Sequence, residues 1–372
     1  MSNTPPSDAQ LLTSLNIGKL NLSNRIIMAP LTRNRAGEGN VPTDLNTLHY
    51  TQRASAGLLI TEASQISPTA LGYPSTPGIH TEAQVAGWKK ITDSVHKEGG
   101  LIFIQLWHVG RISHPSMLPD NAQPVAPSAI RPEGEAVTYD GMQPFVTPRA
   151  LDLVEIPQLI ADYVTAAENA KKAGFDGVEI HAANGYLLDE FLRDGSNKRT
   201  DNYGGSVENR MRLLDDIVTA VENVWPEKRI GVRISPENQF NDIRDSQPQQ
   251  TFNAVADMLS KHDLAYLHVL EGDMLNGNRN VDYTELKGHF NGLYMANMGY
   301  NLETAEQAIS QGKADMVAFG QLYIANPDLV ERFAQNAPLN EPDQSTFYGG
   351  DAKGYTDYPF LENEIMKETE LA

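Results

Sequence analysis

Apolar residues fall along this chain in short, nearly unbroken runs, and between the runs they recur with helical spacing. The runs Arg25 to Ala29, Leu58 to Ala63, Leu101 to Leu106, Gly177 to His181, Ile230 to Ser235, Tyr266 to Leu270, Leu293 to Ala296 and Met316 to Gly320 predict strands. Runs this short and continuous suit strands covered on both faces. The stretches between them predict helices at Thr43 to Ala56, Glu82 to Lys97, Pro157 onward, Val207 to Val224, Ser246 to about His262, Tyr283 to Phe290 and Leu302 to Gln311. Thr81 with Gln84, and Ser246 with Gln249, have the spacing of a capping box. Asn326-Pro327 predicts an N-cap and first-turn proline for a last helix ending near Asn336. Eight strand-helix pairs in one chain predict an α/β protein of the (β/α)8 TIM-barrel type, with a small hairpin at Leu11 to Leu22 ahead of it.

Two stretches break the pattern. From Trp107 to Glu155 the periodicity fails and proline recurs at 115, 119, 124, 127, 132, 144 and 148. A segment that long without regular structure predicts a cap over the site, with a hairpin near Val137 to Val146. The tail, 338–372, carries Phe347-Tyr348-Gly349-Gly350 and Gly354 to Pro359, too aromatic for a linker, and is expected to lie over the barrel. The whole chain, 1–372, is read as one barrel with these two additions.

Composition narrows the chemistry. A formal charge of -19 over 372 residues argues against a nucleic-acid groove or an anionic membrane surface as partner. There is no cysteine, which removes disulfides, thiolate metal sites and thiol nucleophiles. Met1 to Gln10 has neither the basic nor the apolar region of a signal peptide, and no apolar run reaches the roughly 20 residues of a membrane span, so the expected location is cytoplasmic.

In a barrel of this kind the site lies at the C-terminal ends of the strands. Those ends deliver Ala29-Pro30-Leu31-Thr32, Glu62-Ala63, Gln105 and Trp107, His181 with Asn184, Arg233, Asn297-Met298-Gly299, and Gly320-Gln321. The set is mostly donors, small residues and one cation, which suits a flat, polar-edged, phosphate-bearing ligand. Its phosphate would meet backbone N–H groups near Gly299 and Gly320. His181 and Asn184, three positions apart, are placed to grip one substrate oxygen. Tyr186 then follows as a proton donor. Glu62 and Glu179 also stand near strand ends, the pattern of a barrel glycosidase, although both fall inside strands. No dinucleotide or P-loop glycine motif, zinc-protease helix or nucleophile elbow occurs, and the histidines do not cluster at metal-ligand spacing, so no metal is expected.

Several longer motifs resemble a known family: Asn24 to Thr32, Gln105 to Arg111, His181 to Leu187, Lys198 to Ser206, and Ile324 to Leu329. Together, over about Leu11 to Pro359, they are similar to the Old Yellow Enzyme family of FMN-dependent ene-reductases. The likeness is strongest to its bacterial branch acting on nitrate esters, maleimides and related xenobiotics. The resemblance implies an FMN enzyme reduced by NADPH or NADH, which then reduces enones, maleimides and nitroalkenes in ping-pong fashion, with nitrate esters and nitroaromatics as further substrates.

It also implies roles. Thr32 would bond the flavin ring, the backbone at Ala29, Pro30, Leu31 and Ala63 would line it, and Gln105 would bind its pyrimidine edge. Arg233 would stabilise the reduced anion, while Met298, Gly299, Gly320 and Gln321 would surround the phosphate. His181 and Asn184 would hold the substrate oxygen while hydride passes from flavin N5 to the β carbon, and Tyr186 would protonate the α carbon. Trp107, Phe240 and Tyr348 would line the substrate pocket. Family members range from monomer to dimer and beyond, and a monomer or homodimer is expected here.

One departure stands out. Where relatives read Phe-Gly-Arg, this chain reads Phe319-Gly320-Gln321, so looser FMN binding is expected. That loss leaves a paralogue with a binding or regulatory role as the rival reading, and the two glutamates leave a glycosidase as a remote one.

Overall fold

The computed structural model describes residues 9–362, and its eight strands close into a parallel barrel. They are β1 Ile26–Met28, β2 Leu58–Gln65, β3 Ile102–Trp107, β4 Gly177–Ala182, β5 Ile230–Ile234, β6 Tyr266–Leu270, β7 Tyr294–Asn297 and β8 Met316–Phe319. Each pairs with the next, and β8 pairs with β1 to complete the ring. Every strand residue is buried. That is why the strands read as continuous apolar runs, one face packing into the barrel and the other against helices.

Alternation along β4 shows the two faces. Val178, Ile180 and Ala182 join the core beneath the helices, so Gly177, Glu179 and His181 point inward. The lower interior is filled by Ile27, Leu58, Ile60, Phe103, Tyr266, Met295 and Met316. The N-terminal hairpin, Leu15–Ile17 with Leu20–Leu22, packs Ile17, Leu20 and Leu22 into the same cluster as a plug. Glycines make room for the two rings in that layer: a Cβ on Gly177 would lie 2.4 Å from Phe103 Cζ, and one on Gly231 2.3 Å from Tyr266 Cε2.

The helix at Glu82–Lys97 starts with the expected reciprocal cap between Thr81 and Gln84. Two other caps differ from expectation. The helix after β5 runs Pro248–Leu259 without a side-chain cap. Ser246 instead bonds the Asp194 carboxylate, while Gln249 accepts from Asp282 N at 2.7 Å, so neither closes a box. The last helix is Leu329–Gln335 with Asp328 at its N-cap. Asn326 instead follows a short helix, Gln321–Ala325; its amide donates to Leu322 O at 2.9 Å and its oxygen accepts from Asn340 N at 2.8 Å. In both cases a long-range partner outcompetes the local pattern. The predicted helix Val207 to Val224 is broken into Val207–Arg210 and Arg212–Glu222.

The segment after β3 carries the hairpin Glu135–Thr138 with Gly141–Pro144. Its Ala136 and the following Phe145 cluster with Ala63, Trp107, Val109, Ile112 and Tyr186, so the cap packs directly on the strand ends. Arg111 joins that segment to the loop after β5, donating to Ile130 O at 3.2 Å and to Asp242 O at 2.8 Å.

The described part of the tail is held by arginines that donate to its backbone. Arg33 bonds Phe347 O and Gly354 O, both at 2.8 Å, and Arg35 bonds Thr346 O and Asp351 O, both at 2.9 Å. Both guanidinium groups lie over the Tyr355 ring, 5.1 and 4.5 Å from its centroid. Arg33→Met would keep the packing and leave the buried Gly354 carbonyl without its donor, at about 1–3 kcal/mol, while Phe347 O keeps Arg35 Nη1 at 3.4 Å. Limited proteolysis is expected to cut the variant between residues 338 and 362 sooner than the native chain; equal rates would show that Arg35 and Tyr355 suffice.

Candidate active site

The inward side chains above the apolar plug are polar, and they are organised by Glu179. This carboxylate, fully buried, accepts from Gln105 Nε2 at 2.7 Å and pairs with His268 Nδ1 at 2.9 Å. Burial pushes its pKa up, but His268, Arg233 and Gln105 together outweigh burial and hold it below the usual carboxylate range. With its Nε2 turned to Glu179, Gln105 presents its oxygen as the remaining pole of the amide. Arg233 donates from Nη2 to Asn297 Oδ1 at 2.8 Å, while its buried Nε has no partner among the described residues.

Glu62 lies elsewhere. The β2–β3 register shifts between Ile60 and Ala63, a bulge. Glu62 is turned to Arg33 N and the Tyr50 hydroxyl, both at 3.3 Å. One glutamate is therefore spent inside the barrel and the other on a neighbouring helix, and they do not form a hydrolytic pair.

The stretch after β4 carries the groups that the sequence singled out as reactive. His181 Nδ1 accepts from Ala183 N at 3.3 Å, which leaves the imidazole proton on Nε2. Burial, with the Arg233 and His268 charges adding to it, holds His181 well below its ordinary pKa, so it is a neutral donor. Asn184 and Gly185 both take left-handed backbone, φ 59° and 75°. Glycine is needed at the second position because a Cβ there would lie 2.8 Å from Phe240 O. The turn is fixed by Asn184 N on Ser235 Oγ at 2.8 Å and Gly185 N on Asp189 Oδ2 at 2.9 Å. Tyr186 follows, its ring edge-on to His181 at 5.2 Å and to Trp107 at 4.9 Å. Burial, then Tyr73, push its phenol well above the ordinary range, so it keeps its proton. Tyr73 OH lies 3.1 Å from Tyr186 OH.

The other expected residues ring the same mouth. Ala29, Pro30 and Ala63 are buried at it, and Leu31 and Thr32 are half-buried beside them. On the far side Met298 and Gly299 turn with φ 98° and 72°. Gly320 and an exposed Gln321 begin the short helix after β8. Phe240 lines a cavity of about 590 Å³ with Tyr73, Glu133, Glu135, Phe145 and Leu275. Tyr348 stands on the rim, 71% exposed, less enclosed than a pocket-lining role suggests.

The donors at this mouth can be tested against a flavin. Trp107 Nε1 and Arg233 Nε are buried without partners among the described residues. Neutral N–H groups, one unshared guanidinium donor and open space around Gly299 fit a flat ring system with a polar edge and a phosphate tail. No cluster of metal-ligating side chains occurs among the described residues.

A family model described as NADH:flavin oxidoreductase / NADH oxidase matches residues 10–340. The chain belongs to that family, the Old Yellow Enzymes. It is 46% identical to rice 12-oxophytodienoate reductase 1, over 96% of this chain and 95% of that one. It is 42% identical to a Leishmania infantum protein described as a probable flavin mononucleotide-dependent alkene reductase, over 97% and 100% of the two chains. The solved structure of morphinone reductase superposes with a TM-score of 0.92 at 48% identity, covering 97% of this chain and 99% of that one. As an Old Yellow Enzyme the chain is an FMN-dependent NAD(P)H oxidoreductase that reduces activated carbon–carbon double bonds. The TIM barrel and the FMN expected from the sequence both hold.

Three residues at the site were not foreseen. Tyr73 follows β2 in a Gly-Tyr-Pro turn, and extending the strand-end reading a few residues past that strand would have found it. His268 lies mid-strand, and Asn238 in an irregular loop; nothing in their neighbours marks them.

Beneath the site, buried Glu190 accepts from Arg111 N at 2.8 Å with one oxygen and has no partner for the other. Burial pushes its pKa up to about 8, against the opposing Arg111 charge. An unfolded chain loses this proton near about 4.3, so between those values the folded chain binds more protons and stability falls as pH rises. Glu190→Gln, isosteric and uncharged, should lose that dependence. From about pH 6 to pH 9 the melting temperature of the native chain is expected to drop more than the variant's; parallel curves would mean that the carboxyl is already ionised.

Proposed function

We propose that His181 and Asn184 hold the carbonyl or nitro oxygen of an electron-poor alkene and that Tyr186 protonates its α carbon. The observation that carries this reading is the neutral state of all three groups at one strand end. An imidazole with its proton on Nε2, an amide and a phenol that keeps its proton are all donors at neutral pH. Bound FMN supplies the hydride. Two N–H donors on the oxygen draw electrons from the double bond and stabilise the charge that builds on it. Tyr73, hydrogen-bonded to Tyr186, is placed to return the proton. Thr32, Gln105 and Arg233 would hold the flavin ring, and the Arg233 charge favours a reduced anion beside it. Trp107 and Phe240 would bound the substrate, with Tyr348 at the rim.

Among the described residues no helix is long and apolar enough to cross a membrane. With the acidic charge and absence of cysteine, the reading is of a cytoplasmic enzyme without a nucleic-acid partner; family membership is what suggests a monomer or homodimer. Either NADPH or NADH serves as reductant in this reading.

The test is an anaerobic absorption spectrum. The flavin band of the FMN-loaded protein should bleach with NADPH or NADH and return with 2-cyclohexenone; a protein that takes up no FMN, or a band that does not return, overturns the reading. Tyr186→Phe should bleach normally yet reduce 2-cyclohexenone about 10²- to 10⁴-fold more slowly; an unchanged rate would give the proton to another group.

The phosphate end yields a second expectation. The Gln321 side chain is exposed, makes no hydrogen bond among the described residues and is a neutral amide, so it brings no charge to a phosphate near Gly299 and Gly320. Gln321→Arg should tighten FMN binding several-fold to about tenfold, the worth of about 1 kcal/mol or more for a charge-assisted bond. Fluorescence titration with FMN measures it, and an unchanged dissociation constant would mean another group already neutralises the phosphate.

A further inference from the structure

We propose that Asn238 is a positioning residue that sets which end of the Asn184 amide faces the substrate. The proposal rests on the functional reading above, in which Asn184 donates to a substrate oxygen. A side-chain amide is nearly symmetric in shape, with a donor at one end and an acceptor at the other. Turned the wrong way, Asn184 would present an oxygen to an oxygen and repel what it is meant to hold. Nothing in the turn at Asn184 and Gly185 decides this, because the contacts that fix the turn are made by the backbone.

Asn238 decides it. It is fully buried, and its Nδ2 donates to Asn184 Oδ1 at 2.9 Å. Its own orientation is set in turn by two backbone donors, Met274 N at 3.2 Å and Phe240 N at 3.4 Å, which both require Oδ1 on their side. Two N–H groups therefore dictate the Asn238 amide, and Asn238 dictates the Asn184 amide. Asn184 Nδ2 is left as the free pole, without a hydrogen bond among the described residues. The relay joins the loops after β5 and β6 to the turn after β4, so loop placement and donor polarity are set together.

Asn238→Asp probes this with almost no change of shape. The new carboxylate still accepts from Met274 N and Phe240 N, but its other oxygen faces Asn184 Oδ1 and favours the reversed amide. The charged groups around it are Asp273, which accepts from Gln239 N, and the Asp189–Arg193 pair, whose guanidinium bonds Ser235 O and Pro236 O. Three results are expected. The kcat/KM for 2-cyclohexenone falls about tenfold or more, as for a lost substrate hydrogen bond, while the FMN dissociation constant stays unchanged. The loss is largely recovered as pH falls, because a protonated carboxyl donates its O–H to Asn184 Oδ1 as the amide does. In an Asn184→Ala background Asn238→Asp has no further effect, since its action passes through Asn184.

A loss that is independent of pH, or that adds in full to that of Asn184→Ala, overturns the proposal. If Asn238→Asp does not fold or load FMN, Asn238→Ala takes its place in the same cycle, and additivity there overturns the proposal equally. A native protein with no enone reduction would remove the functional reading itself. An active native protein with an additive cycle would remove the role of Asn238 alone.

Discussion

One buried negative charge, that of Glu179, underlies the arrangement at the barrel mouth. It sits mid-strand on β4, inside the barrel and out of reach of water. A carboxylate there is tolerable only when donors surround it, because desolvation costs several kcal/mol unless it is repaid by close partners. Gln105 and His268 bond it directly and Arg233 lies near enough to matter electrostatically. Those partners come from β3, β6 and β5, so satisfying one charge fixes three side chains from three strands. With its Nε2 held by Glu179, Gln105 keeps its amide oxygen as the free pole, and Arg233, whose Nη2 is held by Asn297, keeps an unshared Nε.

The interior is layered with this charge in the middle. Below it Phe103 and Tyr266 stack at 6.0 Å on an apolar plug closed by the N-terminal hairpin. Above it Trp107 lies nearly parallel to both His181 and Tyr73, with Tyr186 standing edge-on. The dry layer lowers the local dielectric and so strengthens the polar one. The aromatic layer excludes water from His181 and Tyr186, keeping the first neutral and the second protonated. The protonation state of both follows from burial more than from any charged neighbour.

Regions outside the barrel serve the mouth as well. The cap hairpin closes over Trp107 and Tyr186, Arg111 ties the cap to the loop bearing Phe240, and the arginines of the first loop hold the tail that carries Tyr348. These ties are donations to backbone carbonyls, which hold a loop in place whatever its side chains. Pocket shape is thus free to vary while its frame stays put.

The alternation of apolar runs and helical spacing was enough to place eight strands, because strands buried on both faces must be short and apolar. The residues after β4 were legible for a related reason, since their order along the chain is also their order in space. Helix ends were read less well. Ser246 and Asn326 had the local spacing of caps, but partners more than ten positions away claimed them. The two glutamates could not be separated from sequence, since a bulge turned Glu62 out and three strands converged on Glu179. Asn238 and His268 were invisible for the same reason, acting only through residues distant in the chain. Periodicity and local order, then, determined the barrel and the turn after β4; side-chain polarity and the use of each buried charge were decided by strands and loops that only the closed barrel brings together.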